Sequence, residues 1–170
     1  MQKNQRTQTL VQTLTPEAAL VISEMLEAAY GIGMNIQIHS AYRSPAEQDG
    51  IYAQGRTKPG KIATNAKGSP IPQSTHCYKV AVDCHFDNNE DGVAEWNPEF
   101  YQKVWTACVA KGLDKKGLRW AGNWENFKES AHFEVSHGKT WQEMAAAAGY
   151  KVAIPAAKPV AEVKPAGKKK

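Results

Sequence analysis

The sequence predicts an α+β fold, a single domain in which a small antiparallel sheet is flanked by helices. Helix and strand patterns alternate irregularly along the chain, and the strands are short and separated in sequence. The length of 170 residues and the hydrophobic content of 42% suit one globular domain with its own core. We therefore expect residues 1–150 to form the domain, with the functional site in a cleft on the sheet.

Three helices are predicted by their first residues. Thr15, Ser44 and Asn97 are each followed by Pro and by an acid in the first turn, which is typical of a capped helix N-terminus. The first of these helices should end near Tyr30 and the third near Ala110, because glycine follows each position closely.

Hydrophobic alternation predicts the strands, and runs of turn residues predict the loops. Predicted strands cover Met34–Ser40, Lys79–Phe86 and Ala131–Val135. The segment from Gly55 to Ser74 is rich in Gly, Pro, Lys, Thr and Asn, and we interpret it as a wall or lid of the cleft. The remaining predictions are a loose lead-in over 1–14, an irregular aromatic stretch over Leu118–Phe127 and a final helix over Thr140–Ala148.

The positive charge of the chain is concentrated at its C-terminus. Residues 151–170 contain six Lys and one Glu, a net charge of +5, whereas the whole chain carries +4, so residues 1–150 carry −1. A nearly neutral domain argues against nucleic-acid binding. The Pro-, Ala- and Lys-rich composition of residues 151–170 predicts a disordered tail.

No targeting or membrane segment is evident. No stretch reaches the ~18 apolar residues of a membrane span, and the N-terminal residues lack the apolar run of a secretory signal peptide. Three cysteines, an odd number, predict free thiols in a reducing compartment.

Two histidines and two carboxylates are the strongest candidates for chemistry. His76 and Asp83 lie in STHCYKVAVD, and Glu129 and His132 lie in ESAHFEV. Two imidazoles and one carboxylate can bind zinc and leave a position open for water, while a second carboxylate accepts a proton. The two segments are far apart in sequence, so the fold must bring them together.

Spacing predicts the local geometry of each pair. His76 and Asp83 are seven residues apart and would point to opposite faces of a straight strand, so a shared metal requires a bend near Cys77–Lys79. Glu134 lies two residues after His132 and shares its strand face. It is therefore either a rival base or a partner that orients a ligand.

Three blocks in fixed order carry a resemblance to a known family. The first is SAYRSPAEQDGIYAQGRTKPGKIATNA, the second matches S-x-H-x-x-G-x-A-x-D at Ser74, His76, Ala81 and Asp83, and the third is RWAGNWENFKESAHFEV. Together they resemble the zinc peptidases that include D-Ala-D-Ala carboxypeptidases and L-alanyl-D-glutamate endopeptidases of the phage endolysin type. The chain departs from the pattern at Lys79, where the family has Gly.

The resemblance implies one zinc ion bound by His76, Asp83 and His132. It implies that Glu129 is the general base, which activates the attacking water and then protonates the leaving amine. Arg43 would stabilise the anionic intermediate or bind a substrate carboxylate. The candidates for substrate contact are Ser74, Trp120 and Trp124.

The resemblance also implies a function: a zinc-dependent peptidoglycan endopeptidase, or endolysin, that cleaves the L-Ala–D-Glu bond of the stem peptide and lyses the cell. We expect a monomer of phage or prophage origin, held in the host cytoplasm until a holin-type partner lets it reach the periplasm and cell wall. The alternatives are a D,D-carboxypeptidase or dipeptidase of the same family, and a non-catalytic peptidoglycan-binding module. The basic tail would hold the protein to anionic envelope polymers.

A calcium site is a further hypothesis. Asp87, Asn89, Asp91 and Gly92 match the opening of a calcium-binding loop. The closing position holds Pro98 instead of Glu, so the alternative is a solvated turn.

Overall fold

A four-stranded antiparallel sheet forms the centre of the protein. The computed structural model describes residues 4–154, and within them the strand order is β1-β2-β4-β3. The predicted α+β fold is confirmed. The elements are α1 (Gln5–Val11), α2 (Pro16–Gly31), β1 (Ile36–Ser40), α3 (Pro45–Tyr52), β2 (Ala81–Phe86), α4 (Pro98–Ala110), β3 (Leu118–Trp120), β4 (His132–Val135) and α5 (Trp141–Ala147).

Alternation along the strands gives the sheet two different faces. Ile38, Cys84 and Phe133 point to one face, where they are fully buried and pack into a core with residues of α2 and α4. Asp83 and His132 alternate with these residues and therefore point to the opposite face. That second face is open to a cleft and carries the polar side chains.

The predicted helix starts are confirmed. The Thr15 side chain accepts a hydrogen bond from the backbone of Ala18, and Asn97 caps α4 in the same way. At α3 the cap is reciprocal, because Ser44 accepts from the Glu47 backbone while the Glu47 carboxylate accepts from the Ser44 backbone. All three helices begin with proline at the first position.

Two elements differ from the prediction. The lead-in expected over residues 1–14 contains the helix α1, whose buried Thr7 accepts a hydrogen bond from the Ile38 backbone at 3.0 Å. The stretch expected to be irregular begins with the strand β3, whose Trp120 pairs with Phe133 of β4. Both elements are short and are stabilised by tertiary pairing, which leaves little periodic pattern in the sequence.

The bend required between His76 and Asp83 is present at Lys79. This residue follows a short 3₁₀ turn, Thr75–Tyr78, and has φ 61° and ψ 33°, in the left-handed region. Its backbone N–H donates to the carbonyl of His76, and its own carbonyl accepts from Thr15. The left-handed residue thus redirects the chain from the His76 turn into β2.

Replacing Lys79 tests this backbone geometry. A side chain with a Cβ costs about 1–2 kcal/mol in the left-handed region, whereas glycine costs about 0.5–1 kcal/mol through its freedom in the unfolded chain. We expect Lys79→Gly to leave the free energy of unfolding unchanged or up to about 1 kcal/mol higher, and Lys79→Val to lower it by about 1–2 kcal/mol. Urea unfolding measures both. Lys61→Gly is the matched control, because Lys61 lies in an exposed loop and does not have a positive φ. If Lys79→Gly loses more free energy of unfolding than Lys61→Gly, the account is contradicted.

Several other expectations bear on the described residues. Cys77, Cys84 and Cys108 are free thiols, as predicted. Between residues 4 and 154, none of the helices combines the length and the apolar character needed to cross a bilayer. The predicted tail over 151–170 lies outside the described residues except for 151–154, which have no regular secondary structure.

Candidate metal centre and active-site cleft

Three side chains that were predicted to bind metal meet on the open face of the sheet. His76 comes from the 3₁₀ turn, Asp83 from β2 and His132 from the start of β4. The strand register places Asp83 directly opposite His132. One ligand atom from each residue lies within 4.8 Å of the others. The fold therefore assembles the cluster from segments that are far apart in sequence.

Each histidine presents one ring nitrogen to Asp83 and has the other nitrogen occupied. Asp83 Oδ1 lies 3.3 Å from His76 Nε2 and 3.1 Å from His132 Nδ1. The remaining nitrogens contact acceptors: His76 Nδ1 lies 2.6 Å from the carbonyl oxygen of Ala41, and His132 Nε2 lies 3.2 Å from Glu134 Oε2. Such outer partners fix the tautomer and orientation of metal-binding imidazoles.

Electrostatics set the protonation of the cluster without metal. Burial acts to lower the pKa of His132, but hydrogen bonds and charge from Asp83 and Glu134 outweigh it and raise the pKa to about 10. Burial acts to raise the pKa of Asp83, yet the two histidines hold it well below its usual value. Burial lowers the pKa of His76. The metal-free cluster at neutral pH therefore contains ionised Asp83, protonated His132 and neutral His76.

Glu134 lies against the His132 ring and orients it. Burial acts to raise its pKa, but hydrogen bonding and charge from His132 lower it, so the group is a carboxylate. It is 6% exposed, and its contact with His132 Nε2 leaves His132 Nδ1 directed at Asp83. Sequence spacing left the choice between rival base and orienting partner open, and the contact favours the partner.

Arg43 lies beside the cluster. Its guanidinium donates to Asp83 Oδ2, and its Nε donates to Ser40 Oγ at 3.0 Å. A third contact joins Nη1 to the side-chain oxygen of Gln48 at 3.5 Å. These bonds hold the guanidinium at the edge of the cluster. Arg43 also lines the cleft.

Glu129 lies in the loop before β4 and lines the same cleft as the cluster. Its backbone is held at both ends, because its N–H donates to Ala121 and its carbonyl accepts from His132. Burial raises its pKa above the usual carboxyl value. A half-buried carboxylate with a raised pKa accepts a proton more readily than an exposed carboxylate, which suits a general base.

The cleft has a volume of about 910 Å³. The long loop forms one side through residues 63–66 and 73–75, as expected for a wall, and Thr140–Gln142 lie on another side. Ser74 and Trp124 line it as predicted, and the Trp124 ring lies 5.6 Å from that of His132. Three further aromatic residues belong to the lining: Trp96, Phe127 and Trp141.

Trp120 does not occupy the position expected of a substrate contact. It is 5% exposed, it stacks on Phe133 in the core, and its indole N–H donates to the carbonyl of Ser130 at 2.7 Å. It faces the core side of β3, together with Leu118, because the two residues are two apart on one strand. The structure thus assigns Trp120 to packing.

The loop suggested for calcium forms a hydrogen-bonded turn. Asp87 Oδ1 accepts from the backbone of Gly92 at 3.2 Å, and Asp91 Oδ1 accepts from Val93 at 2.8 Å. Asn89 donates to the second oxygen of Asp91 at 2.9 Å. The carboxylates are engaged by the turn itself, so the structure gives the calcium hypothesis no support.

The three clustered side chains form a candidate site for a divalent metal ion. Residues 67–135 match the model of a peptidase family described as D-alanyl-D-alanine carboxypeptidase, which confirms the resemblance predicted from the sequence. His76, Asp83, Glu129 and His132 all lie within the matched range.

One relative found by sequence and two solved structures also resemble this chain. The chain is 33% identical over 121 residues to the peptidoglycan L-alanyl-D-glutamate endopeptidase CwlK of Bacillus subtilis (strain 168), covering 64% of this chain and 65%, just under two thirds, of that relative. Two solved structures share the fold. The Serratia marcescens L-Ala D-Glu endopeptidase ChiX has a TM-score of 0.57 at 21% identity, covering 76% of this chain and 86% of that one. The LD-carboxypeptidase LdcB has a TM-score of 0.51 at 22% identity, covering 77% and 67%.

Proposed function

We propose that the protein is a zinc-dependent peptidoglycan endopeptidase that cleaves the L-Ala–D-Glu bond of the stem peptide. The observation that carries the proposal is the cluster of His76, Asp83 and His132, which shares one cleft with the carboxylate of Glu129. The 33% identity to an L-alanyl-D-glutamate endopeptidase supports the choice of bond.

The donor set fits zinc. Two imidazole nitrogens and one carboxylate oxygen are the ligands of many catalytic zinc sites, and here the ligand atoms lie within 4.8 Å of one another. The carbonyl of Ala41 and the carboxylate of Glu134 hold the two rings in place from behind. When bound, zinc would supply Lewis acidity at this point of the cleft.

The surrounding side chains would carry the remaining chemistry. Glu129 takes a proton from the attacking water and delivers it to the amine that leaves, a transfer favoured by its raised pKa. Arg43 stabilises negative charge that develops on the scissile carbonyl oxygen or binds a substrate carboxylate. Ser74 and Trp124 contact the peptide along the lining of the cleft.

Zinc binding should release a proton from the metal-free protein. His132 has a pKa of about 10, above the ordinary value, so it holds its proton below that pH and loses it above. A histidine that binds metal must be neutral, so at neutral pH we expect about one proton released per zinc, with affinity rising as pH increases toward 10. Calorimetry in buffers of different ionisation enthalpy measures this release. Glu134→Gln removes one group that raises the pKa of His132 and should therefore reduce the number of protons released. A heat of zinc binding that does not depend on the buffer would contradict a protonated His132 in the metal-free protein.

The identity of the product tests the proposed bond. Purified peptidoglycan is digested with the zinc-loaded protein, and new amino groups are labelled and identified by mass spectrometry. New N-terminal D-Glu supports the endopeptidase. Released D-Ala would instead identify the D,D-carboxypeptidase suggested by the family description. Binding to peptidoglycan without any product would identify a binding module.

The proposal extends to lysis of bacteria from within by a phage or prophage endolysin. A monomer in the host cytoplasm would then reach the wall through a holin-type partner. Expression in the cytoplasm with and without an induced holin tests this role: lysis should require both proteins, and lysis by the holin alone at the same rate would overturn it.

A further inference from the structure

Three aromatic rings pack against one another beside the cleft, and two of them, His39 and Trp96, line it. This ring platform consists of His39, His85 and Trp96. The ring centroids lie 5.2 Å apart for His39 and Trp96, 5.8 Å for His85 and Trp96, and 5.7 Å for the two histidines. Trp96 is 48% exposed, although it is a large aromatic residue. Exposed aromatic groups in a cleft are typical of ligand-binding surfaces.

The sheet holds the platform in place. The pairing register of β1 and β2 shifts between Ile38 and Ser40, so His39 has no partner in the ladder and its side chain is exposed. Such irregularities re-aim a side chain next to a functional site. Trp96 follows Glu95, whose backbone exchanges two hydrogen bonds with Phe86 at 2.8 and 3.0 Å. The backbone is therefore paired at His85 and next to Trp96, and irregular at His39.

The platform lies at a defined distance from the metal cluster. His85 follows Asp83 by two residues on β2 and shares its face, which separates them by about 7 Å along the strand. His39 and Trp96 line the same cleft as Asp83. An extended ligand centred on the cluster would reach the platform after about two residues.

The chemistry of the substrate places a sugar at that distance. In peptidoglycan, the L-Ala of the stem is joined through an amide to a lactyl group on an N-acetylated muramic sugar. The sugar thus lies about two residue lengths, or about 7 Å, to the amino side of the L-Ala–D-Glu bond. The C–H faces of a sugar pack against an indole, and imidazole nitrogens exchange hydrogen bonds with its hydroxyl groups.

We propose that the ring platform binds the muramic sugar that carries the stem peptide, so that the enzyme prefers glycan-linked stems over free peptides. The inference rests on the proposed function, because it places the sugar relative to the L-Ala–D-Glu bond. Packing between a sugar ring and Trp96 would provide the preference, and His39 would contact the edge of the same sugar.

The experiment compares two substrates that differ in the sugar alone: a disaccharide-linked stem peptide and the same peptide released from its sugar. We expect wild type to show a lower KM for the linked peptide. Trp96→Ala should raise the KM for the linked peptide about tenfold and change kcat/KM for the free peptide by less than about twofold. Trp96→Phe should have a KM for the linked peptide between those of wild type and Trp96→Ala. Val93→Ala, which removes a nearby exposed apolar side chain outside the cleft lining, is the matched control.

Equal KM values for the linked and the free peptide in wild type would overturn the sugar subsite. So would a Trp96→Ala protein that loses kcat/KM equally on the two peptides. A direct binding measurement separates this outcome from failure of the proposed activity. The linked peptide is titrated into Glu129→Gln protein with and without the Trp96→Ala change, and heat is recorded. Binding that depends on Trp96, with no cleavage by wild type, would retain the subsite and reject the endopeptidase; binding that is unaffected by Trp96→Ala would reject the subsite.

Discussion

Glu129→Gln is expected to lower kcat for stem-peptide cleavage by about 10²–10⁴-fold while zinc binding is retained. The amide has nearly the shape of the carboxylate but cannot accept the proton of the attacking water. Glu129 is not one of the three clustered ligands, so the zinc content of the purified protein should not change. Steady-state cleavage and metal analysis of the same preparation measure both quantities.

Glu125→Gln is the matched control for this substitution. Glu125 is exposed, lies in the same loop and does not line the cleft. It should retain kcat within about twofold, as expected for a surface substitution. If Glu129→Gln retains comparable activity with a full zinc content, Glu129 is not the base, and the role passes to another group in the cleft.

His76→Ala is expected to remove zinc and to lower activity by more than 100-fold. Loss of an outer partner of a metal ligand costs about 10–100-fold, and loss of the ligand itself should cost more. His76 is 2% exposed, so thermal unfolding must show that the variant folds before its metal content is interpreted. Metal analysis after dialysis against a weak chelator gives the zinc stoichiometry.

His137→Ala provides the comparison. His137 is exposed, its Nε2 lies 2.9 Å from Glu17 Oε1, and neither residue lines the cleft. Its replacement should leave both zinc content and activity close to wild type. A folded His76→Ala protein that binds zinc as tightly as His137→Ala would contradict the assignment of the ligands.

The members of the cluster were predictable from local spacing and from the three ordered blocks that carry the family resemblance, but their assembly was not. The separation of His76 and Asp83 required a bend, and the bend lies at Lys79 with a left-handed backbone. Their meeting with His132 could not be derived from spacing, because it depends on the pairing of β2 with β4. That pairing joins strands that are separated by α4 and β3 in sequence.

The aromatic residues were harder to assign. Trp120 shares strand parity with Leu118, and its position in the core could have been predicted once β3 was recognised. Trp96 and Trp141 lie next to turns or helix ends, where no alternation indicates whether a side chain faces core or cleft. Their position in the cleft depends on how the loops fold back over the open face of the sheet.

The polar residues of the open face illustrate what alternation can predict. Ala81, Asp83 and His85 occupy one face of β2, while Val82, Cys84 and Phe86 face the core. Once Asp83 is assigned to the site, His85 follows on the same face. The ring platform as a whole is evident only in the structure, because its three members come from separate segments of the chain.

The most direct test of the central claim is cleavage of a purified disaccharide-linked stem peptide before and after metal removal. The protein is stripped with a chelator, dialysed, and assayed with zinc restored in increasing amounts, with products identified by mass spectrometry. We predict no cleavage by the stripped protein and recovery of D-Glu-terminated product that saturates at about one zinc per chain. Cleavage at the same bond by protein shown to be free of metal would contradict the account.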